Sequence, residues 1–207
     1  MEKKDLLKDV IKHIDIKSYN STELVDAMRN MSFTSRDTAR AADILMMMCK
    51  EKECTNILTL AGSTSAAGCM QVYVDMVRNK MIDVVVATGA SIIDMDLFEA
   101  LGFKHYIGEK ENVIPDTTLR DLYIDRIYDT YIDEEELQAC DHTTFEIANM
   151  LEARPYSSRE FIYEIGKWLH EGNAVKKDSL IQTCYECGVP IFVPAFSDSS
   201  AGFGIGK

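Results

Sequence analysis

The chain has 207 residues, 46% hydrophobic and 27% charged, with a formal net charge of −12. That length allows one domain with a sizeable core. The acidic balance argues against nucleic acid as a general partner, because phosphate contacts need clustered Lys and Arg. An acidic surface suits solubility, and it can also steer basic proteins or polyamine-like cations.

The pattern predicts a short charged helix over residues 2–13, then an extended or looped stretch from Asp15 to Ser21. Ser21 or Thr22 is placed to cap a helix that runs through Met31, with Leu24, Val25, Met28 and Met31 on one face. Thr34-Ser-Arg-Asp37 matches a capping box, which predicts a helix from Asp37 to Glu53. Residues 1–53 thus read as an N-terminal helical segment, and 54–207 as the core domain.

The core opens on a strand–turn–helix–strand–turn unit. Asn56–Ala61 is a short apolar run, and Gly62–Gly68 is built almost wholly of small residues. Cys69–Asn79 carries apolar residues at helical spacing; Met81–Ala87 is a second run, closed by Thr88-Gly-Ala-Ser91. The second run is β-branched and apolar on both faces, as in a central strand of a parallel sheet covered by helices on both sides. In open parallel sheets ligands bind at the carboxyl ends of the strands, and both small-residue turns fall there. Such turns let a backbone approach a phosphate or ribose closely. Gly62–Gly68 does not match G-x-G-x-x-G, and no Walker lysine follows it. A tight βα turn remains the plain alternative.

Asp94 and Asp96 lie in the first turn of a short helix after the second strand. The helix dipole favours carboxylates there, and beside a small-residue pocket they could also hold a ribose hydroxyl or an ammonium group. A strand follows over Lys104–Ile107, with His105 packing or bonding at the pocket rim. A polar loop is expected over 109–118, and a loop ending in a strand over 119–132. Residues 134–151 read as a helix with an exposed His142. Ser157-Ser-Arg-Glu160 is a second capping box, opening a helix to Gly172. Another helix spans 179–187 and ends at Gly188. Val189–Pro194 reads as a buried strand, and Ala195–Gly202 as a third small-residue turn, with Asp198 just past the strand end. Three such turns on one edge predict a real pocket.

The six cysteines read mainly as small buried residues of a reducing compartment. Cys184-x-x-Cys187 has no second pair or histidines at ligand spacing, so no metal site is expected. The first residues, Met-Glu-Lys-Lys-Asp, carry no export signal, and no apolar stretch approaches the ~20 residues of a membrane span. A cytoplasmic protein without membrane contact is expected. The strand at 189–194 has no later strand beside it, so either the sequence is a fragment, with the 54–207 core incomplete at its C-terminal end, or a partner supplies the rest; partner-covered surface is expected as well.

Taken jointly, several stretches resemble the deoxyhypusine synthase family, in particular its bacterial branch related to homospermidine synthase. They are Met31–Asp43, Gly62–Gly68, Asn79–Val86, Ala87–Asp94 and Gly188–Asp198, in matching order and spacing. The resemblance implies an α/β, Rossmann-like, doubly wound and mostly parallel sheet with helices on both faces. It also implies NAD bound at the subunit interfaces of a homotetramer, or beside a paralogue partner. The implied reaction oxidises spermidine, carries its aminobutyl group on an enzyme lysine as an imine, and transfers it to an acceptor amine. That acceptor is a lysine of translation factor 5A, or a free polyamine such as putrescine.

Carried over, Ser63, Thr64, Ser65 and Ala66 match the family's first NAD loop, and Thr88, Gly89 and Ala90 the second. Asp198 matches an NAD-contacting aspartate. Asp94 or Asp96 falls where carboxylates hold the cofactor ribose and the spermidine ammonium; a one-residue insertion leaves both open. Two departures stand out. Phe203 occupies the place of a second polyamine-binding aspartate. The family's catalytic lysine, in a Trp-Gly-Lys context, has no counterpart in residues 1–207, since Lys167 and Lys207 lie in other contexts. No catalytic residue is therefore assigned. The alternative reading is a truncated, non-catalytic homologue acting as a binding or regulatory subunit.

Overall fold

A computed structural model describes residues 1–108 and 113–205. The expected strand–helix–strand unit is present as β1 (Ile57–Leu60), α4 (Met70–Arg78) and β2 (Val84–Ala87). Three helices precede it: the short α1 (Lys3–Leu6) and α2 (Thr22–Met28), and the long α3 (Phe33–Lys50). After β2 a wide helical turn, Ala90–Leu97, runs on into α5 (Phe98–Ala100). Then come β3 (His105–Ile107), α6 (Asp116–Asp121), β4 (Ile124–Ile127), β5 (Thr130–Asp133) and α7 (Glu134–Met150). The chain continues through α8 (Ser158–Trp168), α9 (Leu180–Cys187), β6 (Ile191–Phe192) and α10 (Ala201–Ile205).

The fold is α/β and contains a parallel sheet, in the order β1-β2-β6. The expectation of one mostly parallel sheet needs correction. The described strands form two sheets of three, and the second, β3-β5-β4, is wholly antiparallel. The main core lies around the parallel sheet. Val85 of β2 and Ile191 of β6 are buried with Val74 and Val77 of α4, Ile165 of α8 and Ile181 of α9. Helix α9 packs against both α4 and α8. Gly166 makes the α8–α9 approach possible, because a Cβ there would sit 2.7 Å from the Tyr185 Cβ and 3.0 Å from the Ile181 carbonyl oxygen.

Several boundaries differ from expectation. The helix expected over 2–13 stops at Leu6, and Val10 instead bridges Tyr106 of β3 in antiparallel fashion. Two β-branched residues, Val10 and Ile11, gain more from that edge than from a lone helical turn. Helix α3 begins at Phe33, so the supposed capping box at Thr34–Asp37 lies inside it, and the Thr38 hydroxyl donates back to the Thr34 carbonyl instead. Residues 119–132 hold the end of α6 and a whole hairpin rather than a loop and one strand. The polar loop expected at 109–118 falls partly on 109–112, outside the described residues, and 116–121 is helical. The strand expected over 189–194 pairs only at Ile191 and Phe192.

Other signals match. The Ser157–Glu160 capping box is formed on both sides, and Gly188 closes α9 in the left-handed conformation. Among the cysteines only Cys140 and Cys184 are buried, while Cys49 and Cys187 are exposed, so mostly buried thiols are not what the fold provides. No helix among the described residues is long and apolar enough to cross a membrane.

Candidate functional site

The three small-residue turns follow the carboxyl ends of three adjacent parallel strands. β1 leads into Gly62–Gly68, β2 into Thr88–Ser91, and β6 into Ala195–Gly202. The first two are joined at their base by the Thr88 amide, which donates to the Leu60 carbonyl over 3.1 Å. The Ser65 hydroxyl also lies 3.0 Å from the Met95 sulfur, on the helical segment behind the second turn. The second and third turns touch directly. A Cβ at Gly89 would lie 2.8 Å from Ser199 Cβ and 3.0 Å from the Phe196 carbonyl oxygen, so only glycine lets them close to this distance. Ser65, Thr88 and Asp198 therefore share one rim.

The first turn reverses sharply through Gly62 (φ 79°) and Ser63 (φ 62°). The serine there is in a region that non-glycine residues rarely occupy, and a wide helical turn, Ser65–Cys69, follows at once. Ser65 and Ala66 are buried, Ser63 is half-buried and Thr64 is exposed, its hydroxyl bonded to that of Tyr73. Thr88 Oγ1 accepts from the Ser91 amide and pairs with its hydroxyl. Ala90 is half-buried, and Asp198 is exposed on a single turn of tight helix.

The two candidate carboxylates have separate surroundings. Asp96 is buried, and its two oxygens accept from the Leu180 and Ile181 amides, each at 2.8 Å, so it caps α9 from a distant segment. Burial raises its carboxyl to about 6, against those two donors. Asp94 is half-buried and faces the third turn: it accepts from the Ser200 amide at 3.2 Å and the Ser200 hydroxyl at 3.1 Å. The same hydroxyl lies 2.6 Å from Asp141, so one serine is shared between two carboxylates. Burial pushes Asp94 up to about 6 despite the Ser200 donors, and Asp141 adds to the rise. The Asp141 charge is part of what raises Asp94, and a nearby cation would offset it. Asp141 is a residue that sequence reasoning missed; its only signal was an acidic residue beside the buried Cys140.

A further cluster also went unseen. Glu99 of α5 is buried and bonded through Oε2 to His13 Nε2 (2.6 Å) and Lys176 Nζ, and through Oε1 to His105 Nδ1 (2.9 Å). Burial opposes its charge, but His105, His13 and Lys176 together hold the carboxyl well below the usual range. His105 belongs to this cluster rather than to the rim of the three turns. A cavity of about 310 Å³ lies beside it, lined in part by His13, Glu99, His105 and Lys176. Another, of about 270 Å³, opens between α8 and α9 at the amino end of β6, the opposite end of the strand from the third turn. Among the described residues no group of His, Cys, Asp and Glu could hold a metal ion. His142 is exposed, 3.3 Å from Glu146.

The family model described as deoxyhypusine synthase matches residues 23–206. The chain belongs to the deoxyhypusine synthase family. It is 68% identical over 206 residues to a deoxyhypusine synthase-like protein of Caulobacter vibrioides, across all of this chain and 56% of that one. To the protein of the same name from Coxiella burnetii it is 60% identical over 203 residues, covering 98% of this chain and 57% of the relative. The chain thus spans a little over half the length of these relatives. The crystal structure of a deoxyhypusine synthase candidate from Entamoeba histolytica superposes with a TM-score of 0.62 at 21% identity, over 95% of this chain and 68% of that one. At that identity the likeness speaks to the fold alone, and it is the α/β fold described above.

Proposed function

We propose that this chain carries the cofactor-binding and polyamine-binding face of a deoxyhypusine synthase-like, NAD-dependent aminobutyl transferase of Rossmann-like, doubly wound design. The observation that carries the reading is the convergence of three small-residue turns on one strand edge, closed by the Gly89–Ser199 contact. NAD lies along Ser63–Ala66 and Thr88–Ala90, with Asp198 at the far side of the rim. The small side chains of the first two turns suit close approach of a dinucleotide to the backbone. Bound there, NAD supplies the hydride acceptor for amine oxidation.

The chain's own residues bind and orient. Asp94, with Asp141 behind the shared Ser200, offers a carboxylate to an ammonium group of spermidine or a related polyamine. Asp96 is buried with its oxygens on the α9 amides, whereas Asp94 is half-buried, so Asp96 acts on the site by fixing the segment that bears Asp94. The acceptor is a lysine of translation factor 5A or a free amine such as putrescine. The family's lysine nucleophile is not among residues 1–207, so the covalent step is not assigned to any residue here. The working unit is a homotetramer or a paired paralogue in the cytoplasm.

Calorimetric titration with NAD tests the cofactor reading, and Asp198→Ala and Gly89→Ala are expected to weaken binding. Incubation with NAD and labelled spermidine, with and without putrescine or the translation factor, tests the chemistry. Binding of NAD without label transfer identifies a binding subunit; no binding of NAD removes the reading for this chain.

A further inference from the structure

We propose that His13 and Glu99 are positioning residues that lock the first two turns of the cofactor edge together. The inference rests on the function proposed above for its bearing on NAD, but its structural half stands alone.

The observations begin at the N-terminal strap, residues 9–14. It runs along β3, where the Ile107 amide donates to the Asp9 carbonyl at 2.7 Å and the Ile11 amide to the His105 carbonyl at 2.9 Å. It then crosses the first turn, where the Ile14 amide donates to the Gly68 carbonyl at 2.9 Å. Gly68 has φ 98°, and a Cβ there would lie 3.0 Å from the Lys12 carbonyl oxygen, so no other residue admits the strap this closely.

At the crossing His13 makes two bonds. Its Nδ1 accepts from the Met70 amide at 3.3 Å, and its Nε2 lies 2.6 Å from Glu99 Oε2. Met70 is the first residue of α4, which continues directly from the wide helical turn Ser65–Cys69 of the first turn. His13 thus holds the junction of that turn with α4 from elsewhere in the chain. An Nδ1 that accepts requires the proton on Nε2, which then donates to Glu99.

Glu99 continues the helical segment that starts at Ala90, behind the second turn. One imidazole therefore links the end of the first turn to the helix of the second. The other charged or titratable groups that face this link are Lys176 and His105, both bonded to Glu99. They hold the carboxylate in place from two further elements. The His105 Nε2 is buried without a partner among the described residues, which places its proton on Nδ1, toward Glu99.

The test is hydrogen exchange with mass spectrometry on the whole chain, comparing His13→Ala and Glu99→Gln with Lys17→Ala. Lys17, three residues past the strap, bonds Asp75 of α4 at 2.8 Å but does not touch the cluster. His13→Ala is expected to speed exchange at residues 65–70 by about tenfold, with Lys17→Ala leaving them unchanged. Free imidazole, entering the space vacated beside the existing cavity, is expected to restore protection in His13→Ala. Glu99→Gln should show the same local effect, which keeps the test open if one variant folds poorly. Unchanged exchange at 65–70, or an equal rise in Lys17→Ala, overturns the proposal. Where the unmodified chain binds NAD, Kd is expected to rise about tenfold in both cluster variants; an unchanged Kd overturns the link to the cofactor. If the unmodified chain binds no NAD, the proposed function fails, and the exchange result still decides whether His13 holds the turn.

Discussion

Burial raises the Asp94 carboxyl to about 6 even though Ser200 donates to it twice, with Asp141 contributing to the rise. A carboxyl raised above its ordinary value is bound to its proton more tightly in the folded chain. Its contribution to stability is therefore fully present below about pH 4 and lost as pH rises through about 6. Asp94→Asn should remove that loss, so between about pH 4 and pH 7 urea unfolding should move in favour of the variant by roughly 2 kcal/mol. The same carboxylate is the proposed ammonium site. Spermidine affinity should strengthen as pH rises through about 6 in the unmodified chain and respond less in Asp94→Asn, where Asp141 alone remains, as calorimetry would read. Glu99 behaves oppositely: its lowered carboxyl contributes stability above its ordinary value, lost as pH falls. Glu99→Gln leaves Lys176 without its counter-charge and should cost about 3 kcal/mol at neutral pH, by denaturant titration.

Among the elements, α9 shows how a short helix is held by a residue far from it. Asp96→Ala leaves the Leu180 and Ile181 amides without their acceptor and should destabilise the fold by about 2 kcal/mol, with exchange rising first in α9. Gly89→Ala forces a methyl group against Ser199 and should cost about 1–3 kcal/mol while separating the second and third turns. The β1–α4–β2 unit was legible in the sequence because apolar runs and glycines changed period at the element ends. The β4–β5 hairpin was not. Its two-residue turn is carried by Tyr128 at φ 55°, where an Asn-Gly or a glycine would have announced it. The three turns were found by their small residues. The Glu99 cluster was missed because His13 and Lys176 are 86 and 77 positions away from it. Its one local signal was a charged residue set among Leu97, Phe98, Ala100 and Leu101.

At the level of the whole molecule, the N-terminal hairpin of α2 and α3 is sparsely covered. Phe33, Leu24, Met31, Met46 and Met47 are exposed, and Ala39 is the one buried residue of α3. The amphipathic faces expected from sequence thus exist but have no core beneath them, a fact that pattern alone could not show. Under the function proposed above, a second copy of the chain or a paralogue would cover them. A stable interface buries about 1,600 Å² in all, which a hairpin of this length can supply in part. Light scattering should therefore report a mass above that of one chain, and Phe33→Ser with Met47→Gln should lower it. Alkylation offers a different reading of the same molecule. Cys49 and Cys187 are exposed, while burial pushes the Cys184 thiol up, three residues from Cys187 on the same helix. One short helix thus holds a prompt label and a delayed one. Their ratio, followed over time, clocks how often α9 unwinds without any engineered probe.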